Sequence, residues 1–170
     1  RDALHGGSPG DSDADKVARQ GYLNGLVYAP NELADPALGR ADLLRAADLV
    51  RVGLAGTLRD YVLTTADGSA RPLREIDYNG QPAGYASAPG EVVNYVENHD
   101  NETLFDLNAF RLPRDTSAHD RARVQVLGMA FTALSQGVAY FHAGIDTLRS
   151  KSMDRNSFDS GDWFNRLDWS

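Results

Sequence analysis

The residues of this sequence best suited to chemistry are four consecutive polar side chains, Asn98-His99-Asp100-Asn101. They follow the apolar run Val92 to Val96, which is typical of a short strand buried on both faces in a parallel sheet. A carboxylate accepts and an imidazole donates hydrogen bonds, so His99 and Asp100 together could hold adjacent hydroxyl groups. The alternative is that both only satisfy backbone groups of a loop, since a His-Asp dipeptide arises by chance in about one chain in five of this size.

His-Asp pairs also occur in metal-dependent phosphohydrolases of the HD type, where the pair lies on a helix and a distant His and Asp complete the metal ligands. The chain has four histidines, which keeps this alternative open: His5, His99, His119 and His142. The strand pattern before His99 argues against a helix there. His5 and His119 are expected to be solvated surface residues, and no metal site is predicted.

A second polar region, from Asp146 to Ser170, interleaves carboxylates and amides with aromatic rings. This mixture suits sugar binding, because rings stack on the CH faces of a sugar while polar groups bond its hydroxyls. Asp154 and Asn156 are therefore candidates for ligand contact. Trp163 and Trp169 are expected to be buried in the core. The alternative is a loop held by its own ion pairs.

Composition and missing motifs exclude several other functions. The net charge is 17 − 24 = −7, without the basic stripe that nucleic-acid binding requires. No run of about 18 apolar residues could span a membrane. The absence of Cys excludes a thiol nucleophile, a thiolate zinc site and a disulfide framework. Residues 6–10 lack the Lys and spacing of a P-loop, and no Gly-x-Ser-x-Gly motif occurs.

Apolar periodicity and turn residues predict the elements that position these groups. An amphipathic helix is predicted from Arg40 to Leu58 with a stop at Gly56, followed by a short strand at 61–63. Residues 1–16 read as a surface loop and residues 77–90 as a long irregular connection. A further helix is predicted from Ser117 to Leu134 with Thr116 or Ser117 as N-cap. Four of its apolar residues are expected to face inward: Val124, Leu127, Phe131 and Leu134.

A parallel βαβ unit is predicted between residues 92 and 141. The strand at 92–96, a short helix over 102–110, the long helix and an apolar strand at 138–141 follow one another in the order of such a unit. Function collects at the carboxyl ends of parallel strands. The polar cluster 97–101 and the polar region 142–161 are therefore expected to face one cleft.

The sequence resembles the catalytic domain of type I bacterial pullulanases, which are debranching members of the α-amylase superfamily of glycoside hydrolases. Residues 98–100 (Asn-His-Asp) match a motif generic to that superfamily, and the FHAG, LRSKS, DRNS and SGDWFN motifs within 141–165 match pullulanases specifically. Phe158 departs from the pattern, since many relatives have Tyr there. The segments that carry the resemblance are GYLNGLVY (21–28), ADLVRVGLAGTLRDYVL (47–63), IDYNGQPAGY (76–85), VVNYVENHDNETLFD (92–106) and SQGVAYFHAGIDTLRSKSMDRNSFDSGDWFNRLDWS (135–170).

The resemblance implies an α/β fold, namely part of a (β/α)8 TIM barrel. Because a complete barrel needs about 250 residues, residues 1–170 are expected to form its C-terminal portion, roughly strands 6 to 8. The runs 92–96 and 138–141 would be the seventh and eighth strands. The start at Arg1 and the absence of a helix-stop signal at 168–170 are what we expect of a piece of a longer chain.

The resemblance also implies hydrolysis of α-1,6-glucosidic linkages in pullulan, glycogen or amylopectin, with retention of configuration. That mechanism needs a nucleophile and a general acid about 5 to 5.5 Å apart. In the family both lie at the ends of the fourth and fifth strands, before the position of Arg1, so this chain is expected to be inactive alone. The alternative is a non-catalytic α-glucan-binding or interaction fragment.

Individual roles carry over by position. Asp100 matches the family's third carboxylate and is expected to stabilise the transition state by holding hydroxyls of the sugar that is cleaved. His99 is expected to donate to the same sugar. Asn101, Asp154 and Asn156 are expected to contact neighbouring glucose units.

Partner, cofactor and location follow from the same resemblance. The expected partner is an α-glucan, with no nucleic acid and no membrane. No cofactor is assigned, although calcium is common in the superfamily. A secreted bacterial parent protein is expected, while the chain itself carries no signal that fixes its location.

Overall fold

A computed structural model describes residues 2–8 and 10–169. These residues form six α-helices: α1 (Asp2–His5), α2 (Asp13–Ala18), α3 (Arg40–Leu54), α4 (Leu104–Arg111), α5 (Ala118–Leu134) and α6 (Asp162–Asn165). They form six short strands: β1 (Val62–Thr64), β2 (Ala70–Pro72), β3 (Asp77–Tyr78), β4 (Gln81–Pro82), β5 (Val93–Asn94) and β6 (Val138–Ala139). Within the described ranges, no helix has the length and apolar character needed to cross a membrane.

Side-chain caps and one glycine set the bounds of the longer helices. The Ser117 hydroxyl accepts from the Asp120 amide and begins α5, as predicted. Thr103 begins α4 in the same way by accepting from the Asp106 amide. Helix α3 ends at Leu54, four residues before its predicted end, because Gly56 takes the left-handed conformation, with φ +68°.

The parallel βαβ unit is confirmed. Strands β5 and β6 pair in parallel with Val93 opposite Val138 and Asn94 opposite Ala139, and α4 and α5 connect them. The prediction of burial on both faces is wrong in this structure, since the side chains of Val93 and Val138 are 55% and 51% exposed. The six strands of the described residues form three separate pairs and no closed barrel.

Two apolar clusters form the core. The first packs α3 against the hairpins β1–β2 and β3–β4 and contains Val52, Leu63, Leu73, Ile76 and Ala83. The second lies beneath the βαβ unit and contains Leu23, Val96, Leu104 and Ile145, with Leu4, Val124, Met129 and Phe131 partly buried against it. This second cluster supports the strand end from which the polar residues 97–101 emerge.

The inward face of α5 differs from the prediction. Val124 and Phe131 do pack on the second cluster, but Leu127 and Leu134 are exposed. The buried positions of α5 are instead Gln125, Gly128 and Thr132. Gly128 is buried because Leu104 packs against its backbone, 2.5 Å from where a Cβ would lie. This contact requires that residue 128 has no side chain, and a pattern of apolar residues in the sequence does not predict it.

Two segments predicted as irregular contain regular structure. Residues 2–5 and 13–18 are helical, and Ser12 caps α2 by accepting from the Asp15 amide. Arg1 and Pro9 of the same predicted loop lie outside the described residues. The connection 77–90 contains the small hairpin β3–β4, in which Asn79-Gly80 forms the turn.

Candidate functional site

The two polar regions face one cleft, as predicted. A space of about 590 Å³, open to solvent, separates the loop that follows β5 from the loop that follows β6. Four of the five predicted site residues line it, namely His99, Asp100, Asn101 and Asn156. Arg155, Ser157 and Phe158 complete the lining.

The loop carrying His99 and Asp100 is fixed through its backbone. The Asp100 amide donates to Oδ1 of Asn98 at 2.8 Å, which closes an Asx turn. Asn101 is left-handed with φ +57°, a conformation that Asn tolerates better than most residues. The His99 and Asp100 side chains are mostly exposed, and Nε2 of His99 lies 3.6 Å from Oδ1 of Asp100. Both side chains are therefore accessible to a ligand.

The loop position bears on the HD-type alternative. That arrangement needs its His-Asp pair on a helix, whereas His99 and Asp100 lie in a bend between β5 and α4. Across the described ranges no three His, Asp or Glu side chains converge as metal ligands. The geometry at His99 and Asp100 fits recognition of hydroxyl groups better than ligation of a metal pair.

Asp154, the fifth predicted residue, lies behind the cleft lining. Its carboxylate accepts from the Asn156 amide at 2.7 Å and from the Ser160 hydroxyl at 2.5 Å. The Ser160 hydroxyl, followed by the Asn156 amide, lowers the pKa of Asp154 below its usual value. In this structure Asp154 shapes the loop that presents Asn156.

Sequence reasoning did not identify Lys151, which lies directly beneath the cleft. Its side chain is almost fully buried, at 1% exposure, and Nζ donates to the carbonyl oxygens of His99 at 2.9 Å and Asn101 at 2.6 Å. Burial, and then the charge of Arg149, lower the pKa of Lys151, while the carboxylates Asp154, Asp100 and Asp106 oppose that shift. A buried cation thus bridges the two residues that flank Asp100.

Asp106 on α4 anchors the loop that carries Lys151. Its carboxylate is fully buried and accepts from the Ser150 hydroxyl at 2.5 Å and the Lys151 amide at 2.8 Å. The Asp106 amide also donates to the Thr103 cap. The start of α4 and the loop after β6 are therefore joined through one carboxylate.

A second buried connection joins the two strand ends. Nδ1 of His142 lies 2.9 Å from Oε1 of Glu97, and Oε2 of Glu97 accepts from the Leu104 amide at 2.5 Å. Nη1 of Arg149 lies 2.9 Å from Nε2 of His142. Because a guanidinium only donates, Nε2 accepts, so the proton of His142 is on Nδ1 and points to Glu97. Burial raises the pKa of Glu97, and the bonds from Leu104 and His142 partly offset that shift.

The sequence contained usable signals for both buried groups. Lys151 is one of only two lysines among 17 basic residues, and Glu97 is a carboxylate that directly follows an apolar strand. Charged residues in such positions are buried only when they are paired.

The predictions that His5 is a solvated surface residue and that Trp163 and Trp169 lie in the core are wrong. His5, the last residue of α1, is buried at 5% exposure, and its Nδ1 lies 2.9 Å from the Gly6 carbonyl oxygen. Trp163 and Trp169 are exposed at 62% and 75%. Arg166 stacks 4.4 Å from the centre of the Trp163 ring, so this tryptophan is held at the surface by a cation.

Comparison with known proteins matches the chain to one segment of much longer proteins. No protein-family model matches. The chain is 46% identical to the pullulanase of Klebsiella pneumoniae over all 170 residues, which cover 15% of that relative. It is 43% identical over 173 aligned residues to the chloroplastic pullulanase 1 of Arabidopsis thaliana, covering all of this chain and 18% of that relative. The chain thus spans less than one fifth of the length of either relative.

Solved structures give the same result. A structure of Klebsiella pneumoniae pullulanase complexed with maltotriose superimposes with a TM-score of 0.94 at 46% identity, covering 99% of this chain and 16% of that one. A type I pullulanase of Bacillus subtilis complexed with maltose gives a TM-score of 0.66 at 25% identity, covering 99% and 18%. Over its full length, the chain therefore corresponds to a segment of the pullulanases.

Proposed function

We propose, from its full-length correspondence to a pullulanase segment, that this chain is part of the catalytic barrel of a debranching glycoside hydrolase. The enzyme would hydrolyse α-1,6-glucosidic linkages in pullulan and in branched α-glucans such as glycogen and amylopectin. One observation carries the proposal: Asp100, matched to the family's third carboxylate, lines an open cleft beside His99, Asn101 and Asn156. This polar lining with one exposed aromatic ring suits a sugar chain.

The proposed chemistry divides between this segment and the rest of the enzyme. A retaining mechanism needs a carboxylate nucleophile and a carboxylic general acid on either side of the scissile bond. We assign both to neighbouring strands of the complete barrel. Asp100 would accept hydrogen bonds from hydroxyls of the reacting glucose and favour its distorted ring. Its negative charge would also help to keep the nearby acid protonated.

His99 and the second loop complete the proposed site. Asp100 and His99 are adjacent, so one sugar ring could bond to both side chains. His99 would donate to a hydroxyl whose interaction strengthens as positive charge develops at the ring. Asn101 and Asn156 would contact adjacent glucose units, and Asp154 would act with them by shaping the loop around Asn156.

The proposed barrel draws support from the surface around β5 and β6. Parallel sheets normally have both faces covered, and a two-stranded sheet is marginally stable on its own. Here Val93 and Val138 are exposed, and a groove of about 560 Å³ runs beside β5, lined in part by Val50, Val96 and Phe131. Further strands and helices of the complete enzyme would fill this groove and cover both valines.

The decisive experiment compares variants of the full-length protein on pullulan. Asp100→Ala is expected to lower the rate of hydrolysis by far more than tenfold. A tenfold change alone corresponds to about 1.4 kcal/mol of activation free energy. Asp159→Ala is the matched control, because Asp159 is an exposed carboxylate of the same region outside the cleft lining. A wild-type protein without pullulan hydrolysis, or an Asp100→Ala variant within tenfold of wild type, would contradict the proposal.

A further inference from the structure

The ammonium group of Lys151 occupies an unusual place for a cation. It is buried, and burial of a charge is unfavourable unless polar partners replace its lost hydration. Two of its hydrogen bonds go to main-chain carbonyls, those of His99 and Asn101. A methionine could fill similar volume without the desolvation cost. The cation is therefore best explained by what its two bonds hold in place.

Those bonds hold the peptide unit that precedes Asp100 and the one that follows Asn101. The exposed side chains of His99 and Asp100 receive little support from packing, so their position depends on the backbone beneath them. The Asx turn closed by Asn98 fixes the Asp100 amide. Lys151 fixes the carbonyls of His99 and Asn101 from the core side.

Lys151 is itself held on a rigid base. Its amide donates to Asp106, which is fully buried on α4 and lies six residues after Asp100 in the chain. Asp100 is joined to Asp106 by the chain at the start of α4, and Asp106 is hydrogen-bonded to the Lys151 amide. The Lys151 ammonium group is hydrogen-bonded back to the backbone around Asp100, so these residues form a closed network. Displacement of any member of this network would move the carboxylate of Asp100.

We infer that Lys151 is a positioning residue, whose buried ammonium group clamps the carbonyls of His99 and Asn101 and thereby aims Asp100 into the cleft. This inference rests on the function proposed for Asp100. Lys151 does not line the cleft and would not touch the substrate. It acts through Asp100, because misplacement of a reacting or stabilising group by about 1 Å can cost about 100-fold in rate.

The test is a double-mutant cycle in the full-length protein with pullulan as substrate. Lys151→Met keeps the aliphatic stem and removes the ammonium group. It is expected to lower kcat by about 10- to 100-fold, with a change in KM of less than about threefold. In the Asp100→Ala background, assayed at high enzyme concentration, the same substitution is expected to lower kcat by less than about twofold, because no carboxylate remains to be positioned.

Arg166→Met serves as the control. It also removes a cation from the segment after β6, but Arg166 is exposed and lies outside the cleft lining. Its kcat is expected to stay within about twofold of wild type. If thermal unfolding shows that Lys151→Met does not fold, Lys151→Leu, which also lacks a hydrogen-bond donor, replaces it with the same expected pattern.

The outcomes separate the two proposals. An inactive wild-type protein would overturn the proposed function, and the inference with it. An active wild-type protein whose kcat is unchanged by Lys151→Met would overturn the positioning role alone. Equal losses of kcat in the wild-type and Asp100→Ala backgrounds would also overturn it, because a general loss of structure would act in both.

Discussion

His142 and Glu97 meet in the interior, with Nδ1 of the imidazole 2.9 Å from Oε1 of the carboxylate. Glu97 lies three residues beyond Asn94, and His142 lies three residues beyond Ala139. Asn94 and Ala139 are paired in the parallel sheet. The register of two strands therefore determines the partner of a buried carboxylate, and the pair fixes the spacing of the loops that form the cleft.

Removal of the imidazole should destabilise the protein. His142→Ala leaves the Glu97 carboxylate buried with the Leu104 amide as its remaining hydrogen-bond donor. Loss of one partner from a buried pair costs about 3 to 5 kcal/mol, and we expect the lower end because that amide remains. Denaturant unfolding of the full-length protein measures the change. His119→Ala at the exposed start of α5 should stay within about 0.5 kcal/mol, and equal effects of the two substitutions would contradict the prediction.

Glu97 should also make stability depend on pH. Burial raises its pKa above the ordinary value of 4.5, so the folded state binds the proton more tightly than the unfolded state. This contribution to stability is complete below the unfolded pKa, and it is lost as pH rises through the folded pKa. Glu97→Gln should remove that decline in unfolding free energy, measured between about pH 4 and 7, while His142 is present in both proteins. Parallel pH profiles of the two proteins would show that Glu97 makes no such contribution.

Two glycine substitutions in helices should have opposite signs. A Cβ at Gly128 would lie 2.5 Å from Cδ2 of Leu104, whose side chain is fully buried, so the core around it would have to shift. Gly128→Ala should therefore destabilise the α4–α5 contact by about 1 to 3 kcal/mol. In the 170-residue chain by itself, Gly53→Ala in α3 meets open space and should stabilise by about 0.5 to 1 kcal/mol through helix propensity. Unfolding midpoints that shift in the same direction would contradict this account of Gly128.

The proposed barrel predicts a difference between two exposed valines. Val138 on β6 and Val62 on β1 are 51% and 57% exposed. In the full-length enzyme, further strands would cover Val138, whereas Val62 belongs to an antiparallel hairpin that can face water. Val138→Lys should therefore prevent folding or destabilise by about 3 kcal/mol or more, and Val62→Lys should have little effect. Equal tolerance of lysine at both sites would argue against the barrel.

The sequence patterns predicted the helices and strands more accurately than they predicted which side chains are buried. Periodicity and caps identified α3 and α5, because helices depend on residues near one another in the chain. The parallel pairing of β5 with β6 was predicted from the order of strand, helix and strand rather than from a local pattern. The buried face of α5 was only half predicted, since Gly128 is buried by a Leu104 contact that arises in three dimensions. Trp163 was predicted to lie in the core, but it is exposed and stacks on Arg166 at the surface.

The candidate site shows the same division. The lining by His99, Asp100, Asn101 and Asn156 followed from the placement of polar residues after strand ends. The roles of Lys151 and Asp106 were missed, because their partners lie about 45 to 52 residues away in the sequence. Hydrogen bonds over such separations leave no local pattern.

Asp106 accepts two hydrogen bonds from the loop that follows β6, and this limits how that loop could be transferred to another protein. One carboxylate holds the Ser150 hydroxyl and the Lys151 amide while its own residue sits in the first turn of α4. A graft of residues 142–161 onto another scaffold would transfer the cleft-lining side chains of this loop without Asp106, which anchors it. The exchangeable module is the loop together with α4, and the two have to be moved as one cassette.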